Sequence, residues 1–97
     1  MTDPTGHRIE HDEPRSRYLL RVDDQIAAAL DYADDGTVVS MVRTFTNPPF
    51  RRQGLAAEVV AAAVDDAAAR GRLVRPACWY VAAWFDAHPE RAGLLAP

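Results

Sequence analysis

Two arginines and a glycine stand between a β-branched, strand-like segment and a long alanine-rich segment of helical pattern. The run is Arg51-Arg52-Gln53-Gly54-Leu55-Ala56, and a Pro-Pro pair precedes it. The first backbone N–H groups of a helix have no partner within the helix, and with the helix dipole they attract anions. Gly54 lets the backbone approach a ligand closely, and the arginines can add charge-assisted hydrogen bonds. The run therefore predicts a pyrophosphate site; the alternative is an arginine pair on ordinary solvated surface.

Three later side chains have the chemistry to move a proton or accept an acyl group. Cys78, the only cysteine, is either a nucleophile with a thiol pKa of about 8.5 or a small buried apolar residue. Tyr80 is either a proton donor or a ring packed against neighbouring tryptophans. His88 would suit a general base, but we favour a role in capping the last turn of a short helix.

The elements that must position these side chains follow from hydrophobic periodicity and turn signals. Predicted strands cover residues 18–22, 25–32, 37–46 and 72–76, and predicted helices cover about 53–70 and 80–88. The first three strands are separated by polar turns and favour an antiparallel meander, although the alanine run at 27–29 would also fit a helical turn. A strand-helix-strand unit follows, which implies a parallel pairing or a return beside the first strand. The predicted fold class is α+β.

The amino-terminal segment contains few apolar residues. Residues 1–15 are therefore predicted to be a disordered or frayed tail, and residues 16–97 a single domain. His7 and His11 have the spacing of metal ligands on a helix, but prolines and a glycine around them argue against a helix. We expect a solvated tail there and no metal site.

Composition narrows the class of protein. The 97 residues carry a net charge of −3, which argues against general affinity for nucleic acid. A nucleic-acid-binding domain remains the third alternative, and it would use Arg43, Arg51, Arg52, Arg72 and Arg75. No apolar run approaches the roughly 18 residues of a membrane span, and no secretory signal is recognisable at the start. With a single cysteine, we expect a reducing, cytoplasmic location. The eleven basic residues are all arginine, which with abundant alanine suggests a GC-rich bacterial genome.

The spacing Arg51-x-x-Gly54-x-Ala56 resembles the acetyl-coenzyme A signature of the GNAT N-acetyltransferase superfamily. The chain from about Arg17 to Leu95 also has the element order of a truncated GNAT domain. In particular it is similar to the small single-domain GNAT-like family of predicted acetyltransferases. The motifs that carry this resemblance are Thr44 through Ala56, Pro76-Ala77-Cys78-Trp79-Tyr80-Val81 and His88-Pro89-Glu90. Two positions depart from the family pattern: Arg43 stands where a histidine is common, and Arg52 where a glycine is.

The resemblance implies a minimal GNAT-like fold, an antiparallel meander followed by strand-helix-strand-helix. It implies acetyl-coenzyme A, or a related acyl-coenzyme A, as cosubstrate. The strand that holds Phe45 and Thr46 would splay from its neighbour, so that its exposed backbone could pair with the pantetheine amides. The expected cosubstrate-binding residues are Phe45, Thr46, Arg51, Arg52, Gln53, Gly54, Leu55 and Ala56.

The same resemblance makes Cys78 and Tyr80 the candidate catalytic residues, because Cys78 would lie beside the thioester. The function expected is N-acetyl transfer from acetyl-coenzyme A to an amine that the sequence leaves open. Arg43 in place of histidine argues against a histidine base at that position. The alternative is therefore a catalytically inactive acyl-coenzyme A sensor or partner-binding module. The helices that form the acceptor site in larger GNAT enzymes have no counterpart, so an open, shallow acceptor face is expected.

Overall fold

Five strands form one mixed sheet in the computed structural model, which describes residues 6–97. The strands are β1 (His7–Asp12), β2 (Arg17–Val22), β3 (Gln25–Asp34), β4 (Val38–Thr46) and β5 (Leu73–Pro76). They lie side by side in the order β1-β2-β3-β4-β5. Pairing is antiparallel as far as β4 and parallel between β4 and β5. The predicted meander is confirmed, and of the two alternatives for the strand-helix-strand unit the structure has the parallel pairing.

Two α-helices follow the meander. Helix α1 (Leu55–Ala69) connects β4 to β5, and α2 (Trp79–Ala87) follows β5. Three short 3₁₀ segments cover Glu13–Arg15, Pro48–Phe50 and Pro89–Leu94. No helix among the described residues is long and apolar enough to cross a membrane.

The core lies between one face of the sheet and the two helices. The sheet contributes alternate residues, as the two-residue period of a strand requires, and α1 contributes a stripe of small residues at helical spacing. These buried residues form one cluster that includes Tyr18, Leu20, Leu30, Met41, Val59, Val60, Val64, Val74, Val81 and Phe85. Since Leu19, Ala29 and Phe45 alternate with residues of that cluster and pair with one another across β2, β3 and β4, they belong to the opposite face.

Strand β1 corrects the predicted frayed tail. Residues 7–12 pair in register with β2, from His7 opposite Val22 to Asp12 opposite Arg17, and residues 13–15 form a 3₁₀ turn. Ile9 packs against the core, and His11 stacks on Tyr18 with ring centroids 4.1 Å apart. Strand β2 thus supplies the backbone partners, and the core supplies the apolar contacts, that this segment cannot provide by itself. Residues 1–5 of the predicted tail lie outside the described residues.

Strand β4 continues beyond the end of β5. All four residues of β5 are paired, from Leu73 opposite Val38 to Pro76 opposite Met41. Since β5 ends there, residues 43–46 pair with β3 alone, and an opening begins between β4 and the start of α2. On the β3 side β4 carries one extra residue, because Met41 faces Tyr32 whereas Arg43 faces the preceding residue of β3, Asp31. Such a bulge bends and twists its strand.

Candidate functional site

The amino-terminal end of α1 presents free backbone donors. Gly54 precedes the helix in the left-handed conformation, with φ 73° and ψ 17°, and within the described chain no side chain caps this end. A Cβ built on Gly54 would meet no atom within 4 Å, so open space lies beside the backbone there. Leu55 is buried and fixes the first turn on the core. The start of α1 therefore has the geometry predicted for an anion-binding site, with uncapped N–H groups beside a glycine.

The loop before α1 lines a cavity of about 220 Å³. Arg51, Arg52 and Gln53 are all exposed, and Arg52 has a φ of 67°. This left-handed conformation is uncommon for residues other than glycine, and position 52 is where the resemblance expects a glycine. The residues around the cavity are Thr46, Phe50, Arg51, Arg52, Gly54, Leu55, Ala56 and Tyr80.

The two residues of β4 that were predicted to contact the cosubstrate, Phe45 and Thr46, point to opposite faces of the sheet. Thr46 lines the cavity beside the arginine loop. Phe45 points to the opposite face of the sheet, is 52% exposed, and lines a second and larger cavity of about 560 Å³. The alternation of strand side chains explains the difference. The structure thus brings Thr46, but not the Phe45 ring, together with the loop.

Cys78 stands at the amino-terminal end of α2, as its N-cap. Its N–H donates to the carbonyl of Met41 at 3.0 Å, at the point where β4 and β5 stop pairing. Partial burial raises the pKa of the Cys78 thiol, but hydrogen bonds from the backbone N–H groups of Val81 and Tyr80, and from Thr44, outweigh it and leave the pKa below its ordinary value. The structure therefore places a thiol with enhanced thiolate character in the opening between β4 and α2.

Tyr80 lies two residues further along α2 and lines the same cavity as the arginine loop. Its side chain is half-buried, and Trp79 packs edge-on against it with ring centroids 5.7 Å apart. Trp79 itself is 79% exposed. Tyr80 on α2, Thr46 on β4 and the arginine loop thus lie around one cavity, and Cys78 stands two residues before Tyr80 at the start of α2.

The histidines have structural partners. His88 Nδ1 donates to the carbonyl of Trp84 at 2.7 Å, and its ring stacks on that of Trp84. The favoured capping role of His88 is therefore confirmed. His7 lies 3.1 Å from Glu58 on the first turns of α1, and His11 Nε2 lies 2.6 Å from the Tyr32 hydroxyl. Within residues 6–97 no group of three or more histidine, cysteine, aspartate or glutamate residues is arranged to hold a metal ion.

Sequence reasoning missed the larger cavity and its charged residues. The carboxylate of Asp31 on β3 accepts hydrogen bonds from Arg17 on β2 and from Arg43 on β4. These residues lie directly opposite one another across the three strands. The available signal was a charged residue within or next to each of the first three predicted strands, but these residues can be related to one another only once the register between strands is known.

Comparison with known proteins defines the class of this chain. The sequence model described as GCN5-related N-acetyl-transferase matches residues 17–94. The chain belongs to this family, as the element order and the loop before α1 suggested. No curated protein matches it.

Several solved structures share the fold. Ard1 from Thermoplasma volcanium is 17% identical with a TM-score of 0.56, over 63% of this chain and 43% of that one. The ribosomal-protein-S18-alanine N-acetyltransferase from Escherichia coli is 14% identical with a TM-score of 0.60, over 89% and 54%. A GNAT family acetyltransferase from Streptococcus pneumoniae is 14% identical with a TM-score of 0.55, over 75% and 58%. The chain thus spans about half the length of these structures.

Proposed function

We propose that this protein binds acetyl-coenzyme A, or a related acyl-coenzyme A, and transfers the acyl group to an amine. The observation that carries the proposal is the uncapped start of α1, with Gly54 in the left-handed conformation and open space beside it. An anion-binding site of this kind suits the pyrophosphate of coenzyme A, and Arg51 and Arg52 would add positive charge beside it. Membership of a family named for N-acetyl transfer supports the reading.

The part of β4 beyond the end of β5 supplies the second part of the proposed site. Residues 43–46 have no strand partner on the β5 side, and although the Thr44 backbone N–H donates to Cys78, the backbone further along, at Thr46, could pair with the amides of an extended ligand. Such a ligand would run from the loop before α1, past Thr46, towards Cys78 at the start of α2. This path is available because β5 ends at Pro76, opposite Met41, while β4 continues to Thr46.

Cys78 and Tyr80 are the residues proposed to assist the transfer. The bound thioester supplies an activated acyl group when present. The Cys78 thiolate, favoured by the backbone donors of α2, is placed to attack an acyl carbon and later to release it to the amine. Tyr80 is placed to give a proton to a departing thiolate. Direct attack by the amine would need Tyr80 but not Cys78, which makes the two routes separable by mutation.

Intact-protein mass spectrometry tests the proposal. Incubation with acetyl-coenzyme A near pH 8 should add one acetyl mass, which hydroxylamine removes if the link is a thioester on Cys78. Cys78→Ser should lose the hydroxylamine-sensitive adduct, and Arg15→Gln, on the 3₁₀ turn after β1, should retain it. Turnover by Cys78→Ser at the wild-type rate would indicate direct transfer. Calorimetry with coenzyme A that records no binding at millimolar concentration would overturn the proposal as a whole.

The state of the cysteine supports a location for this activity. Cys78 is free in the described structure, and an unpaired thiol with a lowered pKa is preserved best in a reducing compartment. We therefore propose a cytoplasmic acyl-coenzyme A-dependent enzyme.

A further inference from the structure

The larger cavity lies on the sheet face opposite the helices. It has a volume of about 560 Å³, and its lining comes from β2, β3, β4 and the residue just after β4. Apolar side chains form part of it: Leu19 is buried, whereas Ile26 and Phe45 are 39% and 52% exposed. An open cavity of this size with a partly apolar lining fits a small molecule that has a hydrocarbon group.

Three charged residues, Arg17, Asp31 and Arg43, lie opposite one another across β2, β3 and β4 and form a charged row beside these apolar residues. Asp31 accepts from Nε of Arg17 at 3.2 Å, and from Nε and Nη2 of Arg43 at 3.2 Å and 2.8 Å. The Nη groups of Arg17 and Nη1 of Arg43 have no acceptor within residues 6–97. Among the charged residues that line the cavity, two guanidinium groups and one carboxylate leave a surplus of one positive charge. The row therefore has both the charge and the free donors to bind a carboxylate.

Thr44 links this cavity to the proposed site of transfer. It lines the cavity, and its Oγ1 lies 3.8 Å from Cys78 Sγ. Arg43, Thr44 and Phe45 are consecutive, so the charged row and the apolar lining both lie within a residue of the contact with Cys78. A ligand in the cavity would thus reach the acyl group from the face opposite the helices.

We propose that this cavity holds the acyl acceptor, and that the acceptor is a small amino acid with an apolar side chain. The inference rests on the function proposed above. The carboxylate would bind the free donors of Arg17 and Arg43, the side chain would contact Leu19, Ile26 and Phe45, and the amine would face Thr44. A polyamine or a lysine side chain fits poorly, because it brings positive charge to a row that already has a surplus.

The same charges favour the reactive form of the amine. A neighbouring positive charge disfavours protonation of an amine and so increases the fraction of free base. In the transfer, the amine nitrogen forms an amide bond to the acyl carbon, and the bond from that carbon to sulfur breaks. The sulfur leaves as a thiol with the proton that the nitrogen loses, so no further reactant is needed.

The test compares leucine with its analogues in an assay of coenzyme A release from acetyl-coenzyme A. Leucine should exceed leucinamide, 3-methylbutylamine and spermidine in kcat/KM by about tenfold, the effect expected of one charge-assisted interaction. Leucinamide has the lower amine pKa and thus more free base, so a preference for leucine cannot come from intrinsic reactivity. Equal use of leucine and leucinamide, or preference for spermidine, would overturn the inference.

Variants of the two arginines test whether the preference for leucine depends on the charged row. Arg17→Gln and Arg43→Gln should each lower the advantage of leucine over leucinamide, mainly through KM for leucine, while coenzyme A binding is unchanged. Arg15→Gln is the matched control, since Arg15 is 73% exposed on the 3₁₀ turn and does not line the cavity. Retention of the full preference in both Arg17→Gln and Arg43→Gln would contradict the assignment.

Calorimetry separates failure of this inference from failure of the proposed function. If coenzyme A does not bind, the proposed function fails, and the acceptor assignment fails with it. If coenzyme A binds but turnover is absent, N-acetylleucine should still bind the coenzyme A complex more tightly than N-acetylleucinamide. If coenzyme A binds, and neither turnover nor product binding distinguishes carboxylate from amide, only the acceptor assignment is wrong.

Discussion

Thr44 on β4 and Cys78 at the start of α2 lie 34 positions apart in the chain, yet Thr44 Oγ1 is 3.8 Å from Cys78 Sγ. The contact exists because β5 ends opposite Met41 and the Cys78 N–H donates to the Met41 carbonyl, which holds the start of α2 beside β4. The thiol consequently lies next to a residue of each cavity. Thr44 belongs to the larger cavity, and Tyr80, two residues after Cys78, belongs to the cavity of the arginine loop.

The pH dependence of Cys78 alkylation should reflect the lowered pKa of its thiol. Burial raises the pKa of this thiol, but the donors from Val81, Tyr80 and Thr44 lower it further than burial raises it. The rate of reaction with iodoacetamide should therefore reach half its maximum at a lower pH than for a cysteine in an unstructured peptide. Thr44→Val should move the midpoint upward, because one donor to the thiolate is lost. Thr46→Val, on the same strand, should leave it in place; an upward shift in that control alone would contradict the assignment.

Gly54→Asp should abolish binding of coenzyme A. The added carboxylate would stand beside the uncapped N–H groups of α1, where the pyrophosphate is proposed to bind. Gly54→Asn is the matched control, because asparagine has the same shape, tolerates the left-handed conformation and carries no charge. Both variants should lose similar stability, whereas calorimetry should show a much greater loss of affinity for the aspartate. Equal affinity in the two variants would show that charge at this position does not matter.

Replacement of the two loop arginines by glycine should change stability in opposite directions. Arg52 has a φ of 67°, which costs a non-glycine residue about 1–2 kcal/mol. Relief of this strain is partly offset by the greater unfolded-state entropy of glycine, so Arg52→Gly should gain up to about 1 kcal/mol in the free energy of unfolding. Arg51 has a φ of −65° and ψ of 155°, so Arg51→Gly should lose about 0.5–1 kcal/mol. Urea unfolding measures both, and a loss of stability in Arg52→Gly would refute the strain argument.

Tyr18→Phe should destabilise the fold at neutral pH and much less in acid. The Tyr18 hydroxyl donates to Asp66 on α1 at 2.5 Å, and hydrogen bonds to charged groups contribute about 1.5–3 kcal/mol. Burial raises the pKa of Asp66, but the hydrogen bonds from Tyr18 and Arg70 outweigh it and lower that pKa. The stabilisation is therefore complete above the unfolded pKa of about 3.9 and declines as pH falls through the lower folded pKa.

Urea unfolding at pH 7 and at successively lower pH checks this expectation. The difference between wild type and Tyr18→Phe should shrink as Asp66 becomes protonated. Tyr80→Phe is the control, since the Tyr80 hydroxyl has no hydrogen bond within residues 6–97. A difference between wild type and Tyr18→Phe that stays constant down to pH 2 would show that the bond does not depend on the carboxylate.

The sequence by itself determined the local elements and the position of the loop before α1. Strand periodicity, the Pro-Pro break and the stripe of small residues after Gly54 are local signals, because each depends on residues that are neighbours along the chain. They were sufficient for the meander, for both helices within two residues at each end, and for the loop before α1. The capping role of His88 followed in the same way, because a helix end is a local structure.

Tertiary structure decided what depends on distant partners. Residues 7–12 have too few apolar side chains to be recognised as a strand, and they become one because β2 supplies backbone partners and α1 a surface to pack on. The extra residue in β4 cannot be read from periodicity, yet it shifts the register with β3, so that Arg43 faces Asp31. Arg17, Asp31 and Arg43 form a row only because the register places them opposite one another. Register and bulges arise from pairing between strands, and no single segment of the sequence encodes them.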